Sequence, residues 1–451
     1  MTVTVTVTVT VTVTVTVTVT VTVTVTVTVT VTVTVTLPLP LPLLTVFGRT
    51  PFDDRTGART DARSMRRSLR QLSAGGRAAG PLAGVRVLEL EGLAAAPLCG
   101  HLLSGFGADV VRVDQAGRSP TFGTTAVGHG KRSVALDLKA AAGRETMLRL
   151  CDRADVLIEP YRPGVMERLG LGPVDLHATN PRLVYARLTG WGQTGAYAHT
   201  AGHDINYIAI SGALGSFVRP GERPSFPVNL LGDFAGGTLN CAFGIALALL
   251  ERERSGRGQV VDAAMVDGAA YLTSFLHRMR HEGVWDAAKP GANLLDGGSP
   301  FYDTYTCSDG GHVAVGCIEP QFYALMLKKL ELDDDPEMQS QMDRRAWPRM
   351  RAKLASTFLT RSRDAWAELF EGSDACVSPV LRLDEAPDHT HNASRGTFAQ
   401  RAGESAPWVA TPPMLGRTPA RPPAEAPPCE GVDDVEHVLR EWSAAKCNSK
   451  L

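Results

Sequence analysis

Apolar and polar positions follow several distinct rhythms along this chain. From Thr2 to Thr36, Thr and Val alternate without exception, and Leu-Pro repeats follow as far as Pro42. Such alternation gives a strand one Val face and one Thr face. The segment contains no turn residue and no complementary run, so no strand is expected, and residues 1–80 read as a low-complexity, disordered leader. From Pro81 the rhythm changes. Apolar runs at 84–90, 108–114, 155–159, 183–188 and 259–263 read as buried strands, with helical stretches at 95–106 and 140–152 between them. Strands alternating with helices predict a parallel sheet covered on both faces. Residues 234–253 read as one long buried helix with Asp233 at its N-cap, and 265–280 as the next helix.

A second pattern begins after Pro290. Residues 301–307 and 312–318 alternate like paired strands, and Ser308-Asp309-Gly310-Gly311 between them reads as a hairpin turn. Amphipathic helices are predicted at 345–359 and 363–370. Pro-rich sequence from 407 to 428 then leads to a last helix near 432–442. The expected architecture is α/β: a Rossmann-like large domain at 81–285, a smaller α+β domain at 295–390, and a C-terminal return segment at 395–451. A dinucleotide site is not expected. The first strand runs into Glu-Gly-Leu-Ala-Ala-Ala-Pro-Leu-Cys-Gly at 91–100, where a nucleotide-binding turn needs GxGxxG.

Composition narrows the function. The 451 residues carry 46 Lys and Arg against 47 Asp and Glu, a formal net charge of -1. That balance argues against a nucleic-acid surface, so an anionic ligand must find local Arg and Lys. The eight cysteines, at 99, 151, 241, 307, 317, 376, 429 and 447, show neither CxxC nor zinc spacing and read as free thiols. The cluster Asp388-His389-Thr390-His391 sits in a polar loop and is not read as a metal site.

The two ends carry addresses rather than chemistry. The first 48 residues hold no charged side chain and lack a signal peptide's basic start. Half of the Thr2–Thr36 stretch is Thr, which argues against a membrane span, and the alternation makes the segment an aggregation hazard. Residues 49–77 are rich in Arg and Ser, with Asp53, Asp54 and Asp61 the only acids, and weakly resemble a mitochondrial transit segment. Ser449-Lys450-Leu451 reads as a signal for the peroxisomal import receptor. A peroxisomal location is expected, with a mitochondrial pool as the second.

Several stretches together resemble CoA-transferase family III, and within it the branch of α-methylacyl-CoA racemases. They are GKRSVALDLK at 130–139, EPYRPGVMERLGLG at 159–172, NPRLVYARLTGWGQTG at 180–195, AGHDINYIAISG at 201–212 and LLGDFAGG at 230–237. LLDGGSPFYDTY at 294–305, VGCIEPQFY at 315–323 and DACVSPVL at 374–381 follow in the family's order. The resemblance spans roughly residues 81 to 400. It implies a two-domain protomer, an interlocked homodimer, a 2-methylacyl-CoA substrate, and no cofactor or metal beyond the CoA carried on that substrate.

Inverting the carbon beside a thioester needs one group to take its proton and another to return it from the opposite face. The resemblance assigns these roles to His203 and Asp233. Glu319 matches the residue that orients and charges the histidine. It lies in the smaller domain, so the site is expected between domains. Enolate charge calls for preorganised N–H donors, for which 235–237 is a candidate. For CoA the resemblance points to Leu136, Asp137, Leu138 and Lys139 near the nucleotide. Near the thioester it points to Gly202, Asp204, Ile205, Asn206 and Tyr207, with Arg162 and Arg168 as candidate phosphate partners. Family racemases often carry Arg where this chain has Gln115, with Arg118 nearby. Two rivals remain: a family III CoA-transferase using Asp204 as nucleophile, and a CoA-binding relative without turnover.

Overall fold

Runs of Val, Leu and Ile that are apolar at every position suit strands buried on both faces, and the central sheet is built from them. The computed structural model of the chain describes residues 3–17, 21–35, 80–117, 127–400, 403–422 and 433–448. The chain divides into two units, Met1–Arg67 and Ser68–Leu451. In the first, β1 (Val3–Val17) and β2 (Val21–Val35) pair antiparallel, from Val3 opposite Val35 to Val17 opposite Val21. The expectation of no strand is corrected here. A strictly alternating chain folded back on itself supplies its own partner, with Val opposite Val and Thr opposite Thr. The transit-like stretch and the rest of the leader before Gly80 lie outside the described residues.

The second unit holds a six-stranded parallel sheet of β3 (Arg86–Leu90), β4 (Asp109–Gln115), β5 (Lys131–Leu136), β6 (Val156–Glu159), β7 (Val184–Thr189) and β8 (Val260–Ala264). Their order is β5-β4-β3-β6-β7-β8. The chain winds one way from β3 and the other way from β6, so the topological switch lies between those strands. Open parallel sheets bind ligands outside the carboxyl ends of the strands at that point. Helix α1 (Ala95–Gly105) follows β3, and α2 (Ala141–Cys151) follows β5.

The long helix predicted over 234–253 is two elements. Leu230–Leu239 is wound as a π-helix, and α-helical geometry begins only in Asn240–Ser255. Asp233 is therefore not an N-cap but lies inside the widened turn, whose flanking residue is Asn229. Short π-helical stretches occur often at functional sites. The next predicted helix breaks at Thr273 into Met265–Leu272 and Ser274–His281, and the Thr273 hydroxyl donates back to the Ala270 carbonyl.

The smaller sheet has β9 (Tyr302–Thr306), β10 (His312–Gly316) and β11 (Val377–Pro379), all antiparallel, with β10 central. Its helices Pro320–Lys329, Trp347–Phe358 and Arg363–Phe370 enclose a core rich in aromatics, including Phe301, Tyr305, Trp347, Phe358 and Trp366.

The last helix, Val435–Asn448, returns to the large sheet. Val438, Leu439 and Trp442 pack into the core of Leu88, Leu90, Val111 and Val113. Trp442 is fully buried, and its indole N–H donates to Asp109 at 2.7 Å. A hydrogen bond to a carboxylate contributes about 1.5–3 kcal/mol. Trp442→Phe is therefore expected to lower stability by about 2 kcal/mol, read as a lower urea midpoint with unchanged slope.

Candidate active site

Gly202 and His203 enter the helix Asp204–Ile210, where His203 is the extended N-cap residue. The Asn206 side-chain oxygen accepts the His203 backbone N–H at 3.1 Å. One residue earlier, the Tyr207 hydroxyl donates to the Gly202 carbonyl. Tyr207 in turn stands edge-on to Trp191, with ring centroids 4.8 Å apart. Gly190 is required beneath it, because a Cβ there would lie 2.0 Å from the phenol ring. The backbone of His203 is thus held from both sides while its side chain faces an open cavity of about 350 Å³, shared with Arg162, Trp191, Gly202 and Tyr207.

Asp233, on the π-helical turn, lies close enough to His203 for their charges to interact. Its Oδ2 accepts from the Asn229 amide at 3.0 Å. Asp204 links the two elements: its Oδ2 accepts the backbone N–H groups of Gly232 at 2.6 Å and Asp233 at 2.8 Å. The Asp233 carboxyl is held above the usual carboxylate range. Burial is the largest cause and the negative charge of Asp204 adds to it, while the Asn229 hydrogen bond and the charge of His203 work the other way. A carboxylate made more basic in this way suits proton transfer near neutral pH.

Gly236 has a packing task as well. A Cβ on Gly236 would meet the Ala269 nitrogen at 2.7 Å, and one on Gly268 would meet the Gly236 oxygen at 1.9 Å. Gly236 and Gly268 thus allow two helical backbones to touch, and Gly236 and Gly237 are themselves buried.

A second cavity, of about 360 Å³, opens at the carboxyl ends of β4 and β5. Leu136, Asp137, Leu138 and Lys139 line it with Asp114, Gln115, Tyr161 and Arg168. The turn is fixed by the Lys139 N–H on Asp137 at 2.9 Å and by Arg144 on the Lys139 carbonyl at 2.8 Å. Segment 160–163 separates the two cavities: Tyr161 faces one, while Pro160, Arg162 and Pro163 face the other. Beneath this segment Glu159 accepts from Arg187 at 2.8 Å and from the Tyr161 N–H at 2.8 Å, and its burial raises its pKa to about 7. Arg118 lies outside the described residues.

Two cavities on either side of one segment, at the switch point of a parallel sheet, suit an elongated ligand with a nucleotide at one end. The sequence pattern of CoA-transferase family III matches residues 82–434. The chain belongs to CoA-transferase family III. It is 52% identical to the α-methylacyl-CoA racemase of Mus musculus over 361 residues, covering 80% of this chain and 93% of that one. The Homo sapiens α-methylacyl-CoA racemase is 48% identical over 366 residues, with 81% and 94% covered. Among solved structures, Rv3272 from M. tuberculosis superposes with a TM-score of 0.67 at 27% identity, covering 80% of this chain and 99% of that one.

In this family III chain His203, Asp204 and Asp233 come together, with Tyr207 and Arg162 beside them. Ile205 and Asn206 lie on the same helix, Ile205 exposed and Asn206 capping. Glu319 is elsewhere. It precedes the helix Pro320–Lys329 of the smaller sheet, where its charge helps to raise the thiol pKa values of Cys317 and Cys376. Among the described residues, no hydrogen bond or ion pair joins it to His203 within one chain. Sequence reasoning missed Asn229, Trp191 and Tyr161. Asn229 sits four residues before Asp233, on a turn that the sequence did not show to be helical; the other two became visible only once the cavities were located.

If Lys139 and Arg168 meet the CoA phosphates, Lys139→Ala with Arg168→Ala should raise KM for an acyl-CoA about tenfold. The effect should shrink at high salt, with kcat unchanged. Steady-state kinetics at two ionic strengths reads both.

Proposed function

We propose that the protein interconverts the R and S epimers of 2-methyl-branched acyl-CoA thioesters by two-base proton transfer. The observation that carries this reading is the pairing of His203 with a desolvated Asp233 beside a groove lined by the CoA-associated segment. One of the two takes the α-proton. The electron pair of the broken C–H bond moves into the C–C bond as the carbonyl oxygen gains negative charge. The other group then delivers a proton to the opposite face of the enolate. Roles exchange with the hand of the substrate. Such an activity would admit both hands of branched fatty acids and sterol side chains to stereospecific β-oxidation. Peroxisomal import through Ser449-Lys450-Leu451, residues outside those described, belongs to the same proposal.

Assembly as an interlocked homodimer completes the reading. Leu239, Phe243, Leu247 and Leu250 follow one face of the long helix and are between 48 and 62% exposed, and Tyr271 and Phe275 are also exposed. Contiguous apolar surface of this kind marks an interface. The helical stretch Leu230–Ser255 is 26 residues long and apolar enough to cross a membrane by length and composition alone. We read its outward face as the part a partner chain covers. In that dimer, Glu319 of the partner subunit would approach His203 and take the orienting role.

The test is incubation of one 2-methylacyl-CoA epimer with the full-length protein in deuterated water. Uptake of deuterium at the α-carbon together with approach to a mixture of epimers is expected. CoA passing to an added carboxylate without exchange would favour a transferase, and neither activity would leave a CoA-binding protein without turnover.

A further inference from the structure

The residue next to the candidate histidine carries a charge whose placement calls for an explanation. Asp204 is only 4% exposed, yet its carboxylate takes part in no ion pair among the described residues. Its Oδ2 is shared between two backbone N–H groups, and its Oδ1 is buried without a hydrogen-bond partner. Gly232 is shaped to it: a Cβ at that position would lie 2.7 Å from Oδ2. Burying a carboxylate with half its acceptor capacity unused is costly, so the arrangement needs a compensating role. A nucleophile must present a free oxygen to the thioester carbon. Here one oxygen is committed to two amides and the other is enclosed.

We infer that Asp204 is a positioning residue for Asp233, tying the helix start that carries His203 to the π-helical turn that carries Asp233 and presenting a fixed negative charge behind it. The inference rests on the racemase reading and deepens it. The tie is short. One carboxylate joins the residue after His203 to the backbone N–H of Asp233 itself, so the separation of the two bases depends on it. The charge acts in a known sense, since a like charge nearby favours the protonated form of its neighbour.

The experiment compares wild type and Asp204→Asn in the α-deuterium exchange assay, measured for each epimer separately between pH 5 and 9. Asn keeps an acceptor for the two N–H groups but removes the charge. For the epimer that uses Asp233 as base, the acid limb of kcat/KM is expected to move down by about one pH unit. Exchange should persist for both epimers. An unshifted acid limb in a folded, active Asp204→Asn protein would overturn the inference and leave the racemase reading standing. Loss of all turnover, together with trapping of an Asp204 hydroxamate when hydroxylamine is added to wild type with acyl-CoA, would overturn both. That trap requires Asp204 to have attacked the thioester carbonyl with expulsion of the CoA thiolate. If Asp204→Asn does not fold, Gly232→Ala serves in its place. It presses on Oδ2 while keeping the charge, and should lower exchange of both epimers at least tenfold with KM unchanged. Wild-type rates in that variant would count against the tie.

Discussion

Replacing His203 by Ala should divide the two epimers. Each epimer presents its α-proton to one base, so removing one base stops exchange from one hand and spares it for the other. A positioned acid/base group contributes about 10²–10⁴-fold to rate, and exchange from the epimer facing His203 is expected to fall by that factor. Asp233→Asn should produce the mirror image. Epimerisation, which needs both groups, should be lost in either variant. Mass spectrometry of α-deuterium in each epimer, begun from pure material, separates these outcomes. If His203→Ala silenced both hands and Asp233→Asn neither, a single base would be at work. The pH dependence carries a further sign. Asp233 is held above its ordinary value, chiefly by burial. Where it acts as base it must be ionised, so that direction speeds up as pH rises through the raised pKa. Where it acts as acid it must be protonated, and that direction slows over the same range.

Strands were legible wherever apolar residues ran on without interruption. Val87, Leu88 and Leu90, and all of Val184–Thr189, are buried, as such a pattern requires. The sheet order was not legible, because it depends on long-range pairing that periodicity does not record. Strand β5 was missed for a related reason: Lys131, Arg132 and Ser133 look like surface residues, and Lys131 is polar inside the core only because Glu89 waits there. The π-helical turn was invisible too. Asp233 read as the N-cap of a regular helix from 234, whereas the structure widens that turn and lets the Gly236 backbone touch the Ala269 nitrogen, where a Cβ would lie at 2.7 Å. His203 and Asp233 were assigned by resemblance rather than by spacing; their proximity and the raised pKa of Asp233 come only from the fold.

That buried pair supports the other large effect. Lys131 donates to Glu89 Oε1 at 2.9 Å, to Oε2 at 2.7 Å and to the Pro97 carbonyl at 2.7 Å, which satisfies all three of its N–H groups. Both side chains are fully enclosed. Gly100 makes the room, since a Cβ there would lie 1.7 Å from Glu89. Lys131→Met leaves a carboxylate buried without its partner and is expected to cost about 3–5 kcal/mol, whereas Lys131→Met with Glu89→Leu should cost far less. Denaturant unfolding at fixed protein concentration measures both. The two single variants should also respond to pH in opposite senses. Burial raises the Glu89 pKa and lowers that of Lys131. In Lys131→Met, the raised carboxyl is tolerated only when protonated, so the deficit should shrink as pH falls toward the ordinary Glu value. In Glu89→Gln, the depressed ammonium is tolerated only when neutral, so that deficit should shrink as pH rises. The consequence extends to the site. Lys131 grips the first turn of α1 at Pro97, and two residues earlier the Ala95 carbonyl accepts the Thr238 hydroxyl at 2.7 Å. Thr238 belongs to the same π-helical stretch as Asp233. Loosening the pair should therefore lower exchange through Asp233 before the protein unfolds, and the double variant, which refills the core without the grip on Pro97, should recover stability more completely than rate.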